Sequence, residues 1–450
     1  MRSRKKNEAE CLIIGADIAG LAAAQQLSAA GLNVLVLEAR DRIGGRIYTH
    51  RDASLSVPIE LGAEFVHGKP PELLTAADAA GLLLCDVSER HWYLQDGRLV
   101  KSGPFWAKLN EIMDRMKNEP RDRSFREFLE SLPDDEETHQ AKSVAIRYVK
   151  GFHAARIERI GVQGLNRVNE AADSIDGDQS FRALNGYDRL VEFLLRQAKR
   201  RRAVIHLNAI VKELRWRRNQ VEIICCPPNE SHRFVAPRCV VTVPLGVLQA
   251  SSDQVGSVQF VPALPPEKQE AVKHMAMGHV LKITLRFRER FWEKLELPVD
   301  GQSESLSQLG FIHSNVPVPT WWTWLPVRAP IIVGWVGGPD AEVLLRDEQF
   351  ILDEAINSLA LVLGVRQESI RAFLLASYIH NWGSDPFSRG AYSYIPVNGL
   401  EAQSILSRPV EDTLFFAGEA TSDGHVGTVH GAMISGMRAA KQILELPAGC

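Results

Sequence analysis

The chain has 450 residues, with 52 Lys and Arg against 55 Asp and Glu and a formal net charge of −3. That length exceeds one ordinary hydrophobic core, so two domains are expected. The nearly balanced charge gives no argument for nucleic acid or an acidic membrane as principal partner, and no apolar run reaches the roughly 20 residues of a membrane helix.

The basic start, Met1 to Lys6, reads as a solvated tail without a secretory h-region, so a cytoplasmic protein is expected. The six cysteines, Cys11, Cys85, Cys225, Cys226, Cys239 and Cys450, show neither CxxC nor other metal spacing, so neither a metal site nor a disulfide framework is expected. The strongest pattern follows at once. An apolar run from Cys11 to Ile14 predicts a buried parallel strand, ended by Gly15. Small residues, Ala19, Gly20, Ala22, Ala23 and Ala24, predict a helix packed closely on a sheet until Gly31 stops it. A second buried strand, Val34 to Leu37, ends in Glu38. This βαβ unit offers a helix N-terminus to a diphosphate and a carboxylate to a ribose about 20 residues on. A GxGxxG fingerprint would have glycine at position 17, where this chain has Asp17. A carboxylate there either faces the diphosphate, at roughly 3 kcal/mol of repulsion for an effective dielectric near 20, or turns away to cap the helix. On these magnitudes repulsion is expected to win and to weaken cofactor binding. Arg42, Gly44, Gly45 and Arg46 then suit a backbone and guanidinium clamp on the same diphosphate.

In IELGAEFVHG, Ile59 to Gly68, Glu64 and His67 stand in an apolar setting. From about Pro104 to Arg159, Trp106, Leu109, Ile112, Met113 and Met116, and then Phe125, Phe128, Leu129 and Leu132, recur at helical spacing with breaks at Pro120 and Pro133. These stripes read as core, and Asp134 to Glu137 as a solvated loop. From Asn185 the pattern returns to α/β, with a helix from Arg189 to Lys199 and strands at Val204 to Leu207, Val211 to Trp216, Val221 to Cys225 and Cys239 to Val243. The expected fold is therefore α/β, with a Rossmann-like nucleotide domain discontinuous in sequence and a second α+β domain. A strand from Val280 to Phe287 sets Leu281, Ile283, Leu285 and Phe287 on one face and Lys282, Thr284, Arg286 and Arg288 on the other, so by pattern Lys282 is solvated. Strands at Ile331 to Val336 and Phe373 to Ile379 flank a helix ended by Gly364. Near the C-terminus, a strand from Thr413 to Ala417 turns at Gly418, Glu419 and Ala420. Thr428 then starts a helix whose Gly431 and Gly436 let a flat group approach.

In this order, the βαβ unit with GGR, NGYDRL, VVTVPLGVL, FAGEAT and GTVHGAMISG resemble the flavin-dependent amine oxidase family over nearly the whole chain. The resemblance implies an FAD-binding domain of residues 1–75, 183–270 and 396–450, and a substrate domain of residues 76–182 and 271–395. It implies cofactor contacts at Gly15, Ala16, Asp17, Ile18, Ala19, Gly20, Glu38, Ala39, Arg40, Gly44, Gly45, Arg46, Leu61, Gly62, Ala63, Glu64, Val211, Val243, Trp382, Gly418, Glu419, Thr428 and Val429. Among these, Glu38 would hold the adenosine ribose, Arg46 the diphosphate, Val211 the adenine region, and Glu419 and Thr428 the ribityl and flavin edges. GHVLKITLRFRERFW matches the segment of the family's catalytic lysine through Lys282, which overturns its solvated reading. NWGSDPFSRGAYSY matches the aromatic cage through Trp382, Phe387 and Tyr392. Ala391 stands where covalent members carry Cys, which implies non-covalent FAD. Thr428 and His67 resemble the polyamine oxidase and histone demethylase branch. The demethylases' N-terminal helical domain and long helical insertion are not in this sequence, so polyamine oxidation with oxygen as acceptor is the expectation. His67 or an adjacent water would take the amine proton, and Glu64, Glu170 or another acid would hold a distal ammonium. A monoamine or L-amino-acid oxidase, with Arg156 or Arg159 for a carboxylate, and a silent flavoprotein scaffold remain as alternatives.

Overall fold

The computed structural model describes residues 8–447 except 89, 96, 102, 134, 226–231 and 300–301. The basic start, Asp134, Cys226 and Cys450 lie outside the described residues. Cys11, Cys85 and Cys239 are free thiols. Among the described residues no helix is long and apolar enough to cross a membrane, and no three His, Cys, Asp or Glu side chains gather in a metal-binding arrangement.

A five-stranded parallel sheet runs in the order Val204–His206, Val34–Leu37, Cys11–Ile14, Arg238–Val241, Leu414–Phe416. Cys11 pairs with Val34 on one side and Arg238 on the other. The strands are apolar throughout because both faces are covered. Cys11, Ile13, Val34 and Val36 face the helices Ile18–Ala29, Asp188–Arg200 and Val429–Leu444. Leu12, Ile14, Leu35 and Leu37 alternate with them and pack on Leu214, Trp216, Ile223 and Phe234 of a four-stranded sheet. The sequence expectation of an α/β nucleotide-binding fold, discontinuous along the chain, matches this three-layer arrangement.

Small residues set the closest helix approach. A Cβ added at Gly436, in Val429–Leu444, would stand 2.1 Å from the Ala19 carbonyl oxygen, so the two helices touch backbone to backbone. Ala19, Ala22 and Ala23 are fully buried along this contact face.

The second body holds a nine-stranded sheet in which Val280–Phe287 lies between Ile331–Gly337 and Leu374–Ile379, antiparallel to both. One face, with Leu281, Ile283 and Leu285, packs on Ile351, Ile356 and Leu359 of the helix Glu348–Leu363, which Gly364 ends in the left-handed region at φ 63°. The other face is not solvated as the alternation predicts. Lys282 and Thr284 are buried there, because the segment from Val57 to Phe65 packs over the sheet through Trp322, Trp324 and Val333. The hairpin His91–Gln95 and Arg98–Lys101 also joins this sheet, though no strand signal was read in that stretch. The helices Gly103–Lys117, Phe125–Glu130, Glu136–Phe152 and Val162–Asp173 form their own core from Leu109, Ile112, Met113, Phe125 and Phe128, as the helical stripes predict. Trp106 departs from its stripe, being 39% exposed with its edge against His91.

Gly436→Ala should lower unfolding stability by about 1–3 kcal/mol, the usual cost of overpacking, because the clash is with backbone and cannot be relieved by a rotamer change. Denaturant titration against the native protein measures it.

Candidate active site

Between the two bodies lies a cavity of 1690 Å³. Its wall runs from Asp17, Ile18, Gly44 and Arg46, past Leu61 to His67, to Lys282, Trp382, Tyr392, Glu419 and the segment 424–430. The topology explains the convergence, since these residues come from the ends of parallel strands and from the sheet that faces them.

At the first turn, Gly15 has φ 106° and a Cβ at Gly20 would stand 2.0 Å from the Gly15 carbonyl oxygen. Glu38 spans the turn, its Oε2 accepting from Ala16 N at 2.7 Å and its Oε1 from Arg40 N at 2.9 Å. Ala39 lies between these two turns. Asp17 takes the capping alternative: Oδ1 accepts from Gly20 N at 2.9 Å and lies 3.0 Å from the Thr242 hydroxyl. Burial raises its pKa against these bonds, so the structure offers both a turned carboxylate and a route to the uncharged form. The expectation that repulsion dominates is thereby weakened.

Gly44 and Gly45 both have positive φ, and a Cβ at Gly45 would stand 3.0 Å from that of Asp17. Arg46 donates to the Ala391 carbonyl at 2.7 Å and pairs with Glu419 at 3.0 Å. Gly62 is a glycine by necessity, because a Cβ would meet the Arg46 carbonyl oxygen at 1.9 Å and the Trp382 ring at 3.1 Å. Ala63 N donates to the same Arg46 carbonyl. The Trp382 indole N–H donates to Leu61 O at 3.0 Å. Glu419 Oε2 accepts from Ser393 Oγ at 2.6 Å and Gly427 N at 2.9 Å, tying the strand of Tyr392 to the turn before the last helix. Gly418, at φ 122°, donates its N–H to Ser435 Oγ at 2.8 Å. Thr428 caps the last helix, accepting from Gly431 N at 3.0 Å, and Val429 lines the cavity beside it.

Lys282 is 6% exposed, 2.5 Å from Glu64 Oε2, and donates to Gly62 O at 3.2 Å. Glu64 Oε1 accepts from Arg182 Nε at 3.2 Å and from the Trp322 indole at 3.0 Å. Burial pushes the Glu64 carboxyl up, and the two cations more than reverse this, leaving its pKa below the usual carboxylate value. Glu64 is thus taken up by charges of the protein and has no oxygen free of them for a distal ammonium. His67 Nδ1 lies 3.1 Å from Ser180 Oγ, with its ring edge-on to Phe152, and burial lowers its pKa to about 4. It is therefore an uncharged base at neutral pH. Tyr392 donates to the Phe152 carbonyl at 2.8 Å.

Several expected residues lie elsewhere. Phe387 does not line the cavity; it sits under Arg40, whose guanidinium is 5.4 Å from its ring and bonds Asp385 at 2.7 Å. The match to the cage motif in sequence therefore brings two rings to the cavity and not three. Val211 is a buried strand residue between the five-stranded and four-stranded sheets, and Val243 lines a small pocket behind Arg46 and Glu419. Glu170, Arg156 and Arg159 do not line the cavity, and Arg156 pairs with Glu342. Arg182, fully buried between Phe65 and Trp324, was missed. In SFRALNGY it has the alternation of an exposed strand residue, and only the long-range partner Glu64 reveals it. Glu60 was missed likewise: buried, it holds Tyr187 N and the Thr49 hydroxyl, and burial raises its pKa to about 7.

Residues 18–444 match the sequence model of the flavin containing amine oxidoreductase family. Polyamine oxidase 3 of Oryza sativa subsp. japonica is 30% identical over 471 residues, covering 98% of this chain and 90% of that protein. Lysine-specific histone demethylase 1 homolog 3 of Arabidopsis thaliana is 28% identical, but the chain spans only 30% of its length. Among solved structures, wild-type putrescine oxidase bound to putrescine has a TM-score of 0.79 at 21% identity, covering 97% of this chain and 99% of the other. Cyclohexylamine oxidase from Brevibacterium oxydans IH-35A has a TM-score of 0.77 at 20% identity over the same shares. These two show the fold. The family match over almost the full length, on a chain folded this way around this cavity, identifies it as a member of the flavin-containing amine oxidoreductase family.

Proposed function

We propose that the protein is an amine oxidase that binds FAD non-covalently and oxidises a C–N bond of a polyamine or related extended amine, with oxygen as the acceptor. The observation that supports this most is the grouping of Lys282, Trp382, Tyr392 and His67 around one cavity that begins at a dinucleotide-type turn. The residues fit FAD. The glycines at 15, 44, 45 and 62 let the backbone fold tightly around this end of the cavity, since a Cβ there would strike Thr242, Ile47, Asp17 or Arg46, and the first N–H groups of the helix Ile18–Ala29 lack intrahelical acceptors. Residues 1–75, 183–270 and 396–450 would carry the cofactor and residues 76–182 and 271–395 the amine.

When bound, FAD supplies the acceptor for a hydride from the carbon next to the amine nitrogen and is reoxidised by oxygen. The protein's own part is positional and protonic. The faces of Trp382 and Tyr392 attract a cationic amine and exclude water where its neutral form must react. His67, held uncharged above about pH 4 by burial and bonded to Ser180, offers a ring nitrogen that can accept a hydrogen bond from the amine or its water, while the amine proton itself passes to water. Lys282 holds a proton at Nζ against Glu64 and Gly62, a fixed donor for a water at the reacting edge. Ala391 has no thiolate to form a bond to the ring.

The test is an anaerobic titration of the purified yellow protein. Spermine or spermidine should bleach the flavin with a higher specificity constant than tyramine or benzylamine, and acid precipitation should release all colour to the supernatant. Pellet-bound flavin, or tyramine preferred to every polyamine, would refute the corresponding part. Lys282→Met should slow flavin reduction or reoxidation by orders of magnitude with FAD retained; rates within about threefold of native, under 1 kcal/mol of barrier, would remove its role. Asp17→Asn keeps a cap acceptor and removes the charge. Because burial raises the Asp17 pKa, the native protein should lose FAD affinity as pH rises through that raised value, while the variant stays flat; apoprotein titration from pH 5 to 9 reads the difference.

A further inference from the structure

Beyond His67 the cavity continues between the helices Gly103–Lys117 and Glu136–Phe152. Four cations of these helices line this arm, and two of them, Arg147 and Lys108, form no ion pair among the described residues. Arg147 is half-buried and donates from Nη1 to Asn315 Oδ1 at 2.5 Å. It forms no ion pair among the described residues, and burial lowers its pKa with only Tyr93 acting against this. Lys108 likewise lines the cavity and bonds the neutral Gln140 side chain. Gln140 precedes Arg147 by two helical turns, so the two cations flank one helix face, about 10 Å apart along its axis. Among the described residues, the carboxylates nearby are engaged: Asp114 pairs with Lys117 at 2.9 Å, Asp340 with Lys150 at 3.2 Å, and Glu136 accepts from Gln140 Nε2 at 3.1 Å. Asp173 and Asp178 also line the cavity, but neither acts on Arg147. Beside Arg147, His91 Nδ1 and His313 Nε2 bond each other at 3.0 Å, and burial keeps both rings uncharged at neutral pH.

A half-buried guanidinium with no counter-ion among the described residues is costly, and a bidentate anion would relieve it. We propose that this arm receives a carboxylate, so that the extended amine taken by the enzyme carries an acid at the end remote from the reacting nitrogen. The proposal rests on the amine-oxidase reading and narrows its substrate class. Spacing argues against α-amino acids. Phe152, whose carbonyl bonds Tyr392 and whose ring meets His67, follows Arg147 by about 7.5 Å along the helix. An α-carboxylate, one carbon from the nitrogen, does not bridge that distance, whereas a carboxyalkyl arm on a diamine does.

The experiment compares a matched pair by anaerobic stopped-flow on the holoenzyme: spermidine, and putrescine carrying a carboxyethyl group in place of spermidine's aminopropyl arm. The acid should saturate at a concentration about tenfold or more below spermidine, the effect of one charge-assisted pair. Arg147→Gln should abolish that difference while leaving the limiting rate of flavin reduction near native, and Lys108→Gln should reduce it. Equal or tighter spermidine binding in the native enzyme, or an unchanged ratio in Arg147→Gln, overturns the carboxylate site alone. If neither amine reduces the flavin, the polyamine reading falls and this proposal with it.

Discussion

The structure turns on one buried carboxylate. Glu64 stands between Lys282 and Arg182, which come from two different strands, and all three side chains are almost excluded from solvent. An isolated charge in that position is worth several kcal/mol of penalty, and removing one partner of such a cluster typically costs about 3–5 kcal/mol. The cluster therefore fixes the strand Val280–Phe287 against the segment that also supplies Gly62 and His67. Because Gly62 leaves no room for a Cβ beside Arg46 and Trp382, the position of the charge cluster propagates to Arg46 and to the Trp382 ring. Two cations on one carboxylate also leave a net positive charge behind the cavity, a field suited to an electron-rich ring.

The sequence made the cofactor layer readable because its signals are local. The apolar strands, the small-residue helix and the acid at Glu38 lie within one βαβ unit, and Gly364 and Thr428 mark helix ends by the same short-range chemistry. What depends on distant segments was less legible. Alternation placed Lys282 and Thr284 on a wet face, since nothing in VLKITLRF tells that residues 57–65 will cover it. Arg182 and Glu60 were invisible for the same reason. Phe387 shows the converse error: a motif match fixed its place in the chain, but Arg40 and Asp385 draw the loop that carries it toward the first turn and away from the cavity. Asp17 sits between these cases. A capping role was among the local options, and the geometry of Gly20 N and Thr242 selects it.

Putrescine oxidase and cyclohexylamine oxidase share this fold at about one-fifth identity, although one substrate is named as a linear diamine and the other as a ring. Discrimination between amines must therefore reside in the side chains that line the cavity, not in the layers that hold it. In this chain the lining changes character along its length, from aromatic faces at Trp382 and Tyr392 to a cationic and amide-rich arm at Arg147, Lys108 and Asn315.

The interleaved order of the parallel sheet bears on how the molecule is made. Cys11–Ile14 pairs with Arg238–Val241, which in turn pairs with Leu414–Phe416, and the last helix packs backbone to backbone on the first. During synthesis the helix Ile18–Ala29 waits, with Ala19, Ala22 and Ala23 uncovered, until Val429–Leu444 has emerged to shield it. Contacts so remote in sequence form slowly and leave sticky surface open meanwhile. The helix face at Ala19 is thus completed only when Val429–Leu444 docks on it, which places this contact among the late steps of folding.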